Sequence, residues 1–233
     1  MALDEDAVGE GYPFDLPVVR GLREAWLTLG PGVTFLVGEN GSGKSTLVEA
    51  LAVAAGFNAE GGSRSFRFAT RASESALGGA LRVGRAPGRE RSSFFLRAES
   101  YYNVATEIEA LDLVASVGGR SPHERSHGES FLDLLTHRFR ANGLYLLDEP
   151  EAALSTRGCM AAIVRIADLV AQGCQFLVAT HSPILLAVPD ARILQIGADG
   201  TITPVSYDDA LPVAATRRFL ADPGRAVREL FTP

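Results

Sequence analysis

The sequence runs to 233 residues, 46% hydrophobic and 21% charged, with a formal net charge of −6. That length and balance suffice for a core, which excludes a disordered tail and a disulfide-stapled miniprotein. No stretch reaches the roughly 20 uninterrupted apolar residues of a membrane span, and the acidic opening MALDEDAVGE lacks the basic residues of a signal or transit peptide.

The expectation from these features is a cytoplasmic protein with no direct membrane insertion. Cys159 and Cys174 are too few and too far apart for a zinc site or a disulfide framework, so both are expected reduced. Of the 22 basic residues only Lys44 is lysine. A bias towards arginine explains the rest and makes position 44 informative, because an ammonium is a compact point charge and a guanidinium a wide planar fork.

The apolar, Gly-bounded run Gly32 to Val37 predicts a buried strand, and Leu47, Val48 and Leu51 predict a helix from Lys44 to Ala55. Between residues 64 and 97, short alternating runs (65–70, 80–85 and 93–97) predict an antiparallel patch. Helical spacing returns over 103–117 and 130–140, followed by a buried strand over Leu144 to Leu147. Residues 157–172 predict a helix and Gln175 to Thr180 another buried strand. A hairpin is expected over 193–205, turning at Asp199-Gly200, and a short helix over 213–220. Strands alternating with helices imply a mostly parallel sheet covered by helices, an α/β fold. Residues 1–233 read as one domain, with subregions at 64–97 (antiparallel and Arg-rich), 100–142 (helical) and 191–233 (hairpin and helix).

The first strand runs into Gly38-Glu39-Asn40-Gly41-Ser42-Gly43-Lys44-Ser45-Thr46. This satisfies G-x-x-x-x-G-K-[ST] with a strand before it and a helix after it. Glycines let successive backbone N–H groups face inward as an anion nest, and the helix N-terminus adds its positive dipole end. Lys44 is placed to reach the β- and γ-phosphates of a nucleotide, and the Ser45 hydroxyl to ligate Mg²⁺. The strand Leu144 to Leu147 ends in Asp148-Glu149-Pro150, at the strand end where α/β sheets bind ligands. Asp148 is read as a Mg²⁺ ligand and Glu149 as the general base for an attacking water. His181 directly follows the strand Gln175 to Thr180, at the same edge, and is read as a γ-phosphate contact.

The ordered set of motifs resembles the ABC-type P-loop ATPases: the phosphate loop at 38–45, Ser126-His127-Gly128-Glu129-Ser130, Asp148-Glu149, Ala153-Leu154-Ser155 and His181. The runs Asp148 to Ser155 and Thr180 to Pro183 look like the chromosome-maintenance and recombination-repair branch and small stand-alone AAA-family ATPases. Residues 100–125, 26 in all, leave no room for a coiled-coil arm.

The resemblance implies ATP and Mg²⁺ as cofactors and hydrolysis in composite sites of an ATP-induced head-to-tail homodimer. Ser126, Gly128 and Glu129 would then complete a γ-phosphate site held by the other subunit, with His127 and Glu129 departing from a Ser-Gly-Gly-Gln pattern. Glu99 stands where the family carries a Mg²⁺-sensing glutamine, and Ser155 replaces an aspartate. Tyr12 is either an adenine-stacking aromatic or a plain core or surface residue.

Dimer closure acting on an unidentified protein partner is the leading reading. The alternatives are the ATP-hydrolysing subunit of a membrane transporter and a slow ATP-dependent conformational switch. Residues 60–99 carry eight arginines against four acids, a local excess that signals nucleic acid only weakly in an acidic chain.

Overall fold

The computed structural model describes residues 1–23, 26–63, 76–85, 90–99, 101–110 and 126–231. Helix and strand alternate as the apolar patterning predicts. In chain order the elements are β1 (Ala2–Leu3), α1 (Pro17–Gly21), β2 (Gly32–Gly38), α2 (Lys44–Ala54), α3 (Ala76–Gly79), β3 (Leu81–Arg82), β4 (Ser92–Arg97) and α4 (Tyr101–Ala110). There follow α5 (His127–Asp133), β5 (Gly143–Asp148), α6 (Thr156–Ala171), β6 (Gln175–Ala179), β7 (Arg192–Ile196), β8 (Ile202–Val205), α7 (Leu211–Ala221) and α8 (Pro223–Leu230).

Six strands form the main sheet in the order β4-β5-β6-β2-β7-β8. All neighbours are parallel except β8, which returns antiparallel on β7 through the hairpin expected at Asp199-Gly200. Side chains alternate across the pleat, so the sheet separates two cores. Phe35 joins Phe94, Tyr145, Phe176 and Ile193 on one face with α4, α5 and α6. Leu36 joins Phe95, Leu146, Leu177 and Leu194 on the other, against Leu47, Val48 and Leu51 of α2. Helix α6 buries Cys159, Ala162, Ile166 and Leu169, one stripe at helical spacing. Both cysteines are buried and free.

Three expectations are corrected. The run 93–97 is not part of an antiparallel patch: β4 lies parallel to β5 as an edge strand of the main sheet, Arg97 opposite Asp148, with a single antiparallel bridge from Phe95 to Gly62. Continuous apolar burial on both faces (Phe94, Phe95 and Leu96) suits a covered parallel strand better than a half-exposed hairpin. The run 80–85 supplies only β3, paired with β1 in a separate two-stranded sheet. The helix expected over 130–140 begins earlier, at His127, and closes in a π-helical turn, Leu134–Arg138; the Leu135 and Thr136 carbonyls of that turn and the Phe139 carbonyl after it accept from the Arg165 guanidinium. Helix α8, which has no buried residue, was not expected. The run 65–70 and the stretch 111–117 lie outside the described residues.

The densest point of the first core is aromatic. Phe139 stacks on Tyr145 at 3.9 Å between ring centroids and 2° between planes, and Phe94 and Phe176 tilt against it. The Tyr145 hydroxyl donates to Arg140 O and accepts from Arg140 N, so its polar end is satisfied. Phe139→Ala is expected to lower the unfolding free energy by about 3–5 kcal/mol, measured by denaturant titration. Phe219→Ala on the exposed side of α7 is expected to change it by less than about 0.5 kcal/mol.

Candidate functional site

Strand β2 ends at Gly38 and α2 begins at Lys44, so the turn between them, residues 39–43, is as short as the phosphate-loop motif requires. Gly41 and Gly43 hold φ of 79° and 93°, and a Cβ on Gly43 would lie 2.6 Å from Val18 Cγ1. Only glycine fits there. Lys44 is 4% exposed, and its Nζ donates to Gly38 O and Glu39 O, both at 3.0 Å. Burial lowers the pKa of this ammonium, while Glu149, Asp148, Glu39 and Glu151 act to raise it. The Ser42 hydroxyl is buried without a hydrogen-bond partner among the described residues. At the mouth of the loop the Tyr12 hydroxyl stands 3.4 Å from Thr46 Oγ1 with the ring exposed, so Tyr12 is a surface aromatic beside the loop.

Asp148 closes β5 and is buried. Burial pushes its carboxyl up to about 6, against the opposing pull of the Ser45 hydroxyl and the Arg97 guanidinium. Arg97, which the sequence reading left without a role, reaches Asp148 Oδ2 at 3.6 Å, Glu49 Oε2 of α2 at 2.5 Å and Glu99 Oε2 at 3.8 Å. Glu99 itself is 87% exposed at its side chain and touches this cluster only through Arg97. The alternation of residues 93–97 fixes which face Arg97 takes; the β4–β5 register, which the sequence does not show, sets it beside Asp148.

Glu149 sits in the left-handed region, φ 51° and ψ 50°, an uncommon conformation for a residue with a side chain. Its N–H still donates to Ala179 O at 2.9 Å, so the chain leaves the sheet within one residue of Asp148. That turn sets Glu149 Oε1 3.9 Å from His181 Nε2. Glu151, in the 3₁₀ turn Pro150–Ala153, accepts the His181 backbone N–H at 2.5 Å. Sequence reasoning gave Glu151 no role, although it is the third acid within four residues of a strand end.

Ser126, Gly128 and Glu129 form a separate group. Ser126 is the N-cap of α5 and Glu129 its N3 residue, joined in a capping box: Glu129 N donates to Ser126 Oγ at 3.3 Å, and Ser126 N to Glu129 Oε2 at 3.1 Å. The Ser126 hydroxyl also donates to Glu129 Oε2 at 2.7 Å. A Cβ on Gly128 would lie 3.0 Å from Ala153 O, so this helix start packs against the turn that follows Glu149. Among the described contacts none joins these three residues to the phosphate loop. Ser155 caps α6 by accepting from Gly158 N at 3.1 Å.

The cradle suits a nucleotide polyphosphate with a hard divalent cation. Asp148 Oδ1, Ser42 Oγ and His181 Nε2 are buried without hydrogen-bond partners among the described residues. Asp148 is the last residue of β5, and Ser42 and His181 lie in the loops beyond the carboxyl ends of β2 and β6. A hydroxyl and a carboxylate, Ser45 and Asp148, are the oxygen donors that Mg²⁺ takes alongside phosphate oxygens.

The raised Asp148 pKa has a testable sign. The folded state binds this proton more tightly than the unfolded chain, so the contribution is fully present below about pH 4 and is lost as pH rises through about 6. In the nucleotide-free and metal-free protein, Asp148→Asn is expected to raise the unfolding free energy near neutral pH by on the order of 2 kcal/mol, with the gain vanishing near pH 4. Denaturant titrations at several pH values measure it.

Two family models match successive stretches of the chain. One, an AAA domain, matches residues 19–101; the other, an AAA domain whose description names the AbiEii toxin of a Type IV TA system, matches residues 103–187. No curated protein matches the sequence. Similar solved structures include a metal-chelate type ABC transporter in an inward-facing conformation, with TM-score 0.46 and 18% identity, covering 77% of this chain and 74% of that one. The SMC head domain from Thermotoga maritima matches with TM-score 0.44 and 16% identity, covering 77% and 92%. No helix among the described residues is long and apolar enough to cross a membrane. With a phosphate-loop motif after the inner strand β2 of a mostly parallel sheet, and AAA-domain models matching both stretches, the chain is similar to P-loop ATPases of the AAA-domain type over residues 19–187.

Proposed function

We propose that this chain binds and hydrolyses Mg-ATP at the carboxyl edge of its sheet, and that two copies close head to tail over two nucleotides to act on a partner. The observation that carries the reading is the meeting of one buried ammonium, Lys44, with Asp148, Glu149 and His181 on the loops beyond three adjacent strands. In this reading the phosphate-loop residues Gly38 to Thr46 hold the phosphates, with Lys44 on the β- and γ-oxygens. Ser45 and Asp148 hold Mg²⁺, with Glu99 beyond them; the cation neutralises charge on the phosphate oxygens.

Glu149 takes the proton of the attacking water and His181 stands on the γ-phosphate side of it. Ser126, Gly128 and Glu129 serve the nucleotide of the second copy, and residues 1–233 act as one domain. The Ser126 hydroxyl is held by Glu129 in the single chain, so closure requires it to pass from that carboxylate to a phosphate oxygen.

Lys44→Ala is expected to abolish ATP binding by calorimetry with the melting temperature retained; Lys44→Arg is expected to impair it as well, because the wider head does not fit the cradle. Unchanged affinity in Lys44→Ala overturns the phosphate-loop assignment. Glu149→Gln keeps shape and hydrogen bonding and loses the charge. It is expected to bind ATP, hydrolyse it at least about a hundredfold more slowly and sediment as a dimer when ATP and Mg²⁺ are added. Adding Ser126→Arg is expected to block that dimer and leave ATP binding intact. A Glu149→Gln chain that stays monomeric at saturating ATP, or a double variant that still dimerises, contradicts the composite site.

A further inference from the structure

We infer that Glu151 is a positioning residue, a strut that fixes His181 relative to Glu149. The inference rests on the reading of His181 given above. Its starting point is the hydrogen-bond ladder at the ends of β5 and β6, where Asp148 pairs with Ala179 as the last register position. One residue later the two strands part. Thr180 N donates to Leu36 O on the β2 side, at 3.2 Å. Successive N–H groups of a strand point to opposite neighbours, so the His181 N–H points towards β5. There the ladder has ended, because Glu149 has turned into the left-handed region and the chain has entered the 3₁₀ turn.

A buried N–H without a partner is costly. Glu151 supplies the missing acceptor with its carboxylate, at 2.5 Å, across 30 residues of sequence. A charged acceptor makes this bond stronger than the ladder bond it replaces. The other Glu151 oxygen, Oε2, is buried and has no hydrogen-bond partner among the described residues, so the side chain is held in place by the one bond it makes to His181. On the far side of His181, Ser182 N donates to Thr180 Oγ1 and Leu185 N to Ser182 Oγ, so the loop after β6 is tied on both flanks of the imidazole. The outcome is a fixed 3.9 Å from His181 Nε2 to Glu149 Oε1. Glu151 touches neither the water nor the phosphates in this account; it acts through the backbone of His181.

Two conservative variants separate position from charge. Glu151→Gln removes the charge and keeps an oxygen that accepts the N–H; Glu151→Asp keeps the charge and falls short by one methylene. Steady-state ATP hydrolysis is compared for both, for Glu151→Ala, for His181→Ala and for the double alanine variant, with thermal melting of each. Glu151→Ala and Glu151→Asp are expected to lower kcat about tenfold with KM for ATP within about twofold, as misplacement of a reacting group does. Glu151→Gln is expected to return to within about threefold of wild type. Adding Glu151→Ala to His181→Ala is expected to cost less than about twofold more, because the strut then has nothing to place.

Full activity in Glu151→Asp with loss in Glu151→Gln overturns the strut in favour of a charge effect, as does an undiminished loss in the double variant. If His181→Ala loses turnover and neither Glu151→Ala nor Glu151→Asp does, the strut alone is wrong. If His181→Ala turns over at the wild-type rate, the reading of His181 is wrong and the strut has no catalytic role. Should Glu151→Ala fail to fold, the Asp and Gln pair decides the question without it.

Discussion

The carboxyl edge of this sheet gathers more acidic than basic side chains, and the Lys44 ammonium is the buried cation that four of those acids act on. Glu39, Asp148, Glu149 and Glu151 all act on it, and it answers by tying two carbonyls of its own loop. Arg97 performs the parallel task one strand away, between Glu49, Glu99 and Asp148. Neither cation balances the acids that face it. Burial raises the pKa of the most enclosed carboxyl, Asp148, with Glu149 and Glu99 adding smaller contributions.

That edge exists because parallel strands end together. β2, β5 and β6 are adjacent in the sheet and their carboxyl ends open on the same side, so motifs far apart in sequence meet in space. The geometry is set by how abruptly each strand leaves. β2 leaves through glycines, β5 through a left-handed glutamate, and β6 through a histidine whose amide is caught by a carboxylate. The signature-like group follows a different logic: Ser126 and Glu129 satisfy each other as a helix cap, and Gly128 is small because the Ala153 carbonyl lies against it.

Residues whose role follows from local chemistry were legible in the sequence. The phosphate loop, the strand-end acids and the histidine after β6 are each marked by a short run of residue types with a strand before them, and the buried strands by their apolar runs. What needed register was not legible. The apolar run of β4 suits a covered strand, but only its register against β5 sets Arg97 beside Asp148. Glu151 stood in plain view in the run Asp148 to Ser155, yet its partner is a backbone N–H that becomes unpaired only when two strands diverge. Helix α8 was missed although Val227, Leu230 and Phe231 stand at helical spacing, and in the fold that stripe is exposed and meets no core.

The position of β2 also bears on how the molecule assembles. Its neighbours are β6 and β7, so the strand that carries the phosphate loop is flanked on both edges by residues 175–196. Pairing across so long a stretch carries a loop-closure penalty and slows folding. During synthesis, β2 and α2 emerge early and must wait, with both strand edges bare, until most of the chain has followed. Completion of the β2 edges thus waits for residues 175–196, and the interval before β6 arrives is when exposed strand edges invite misassembly.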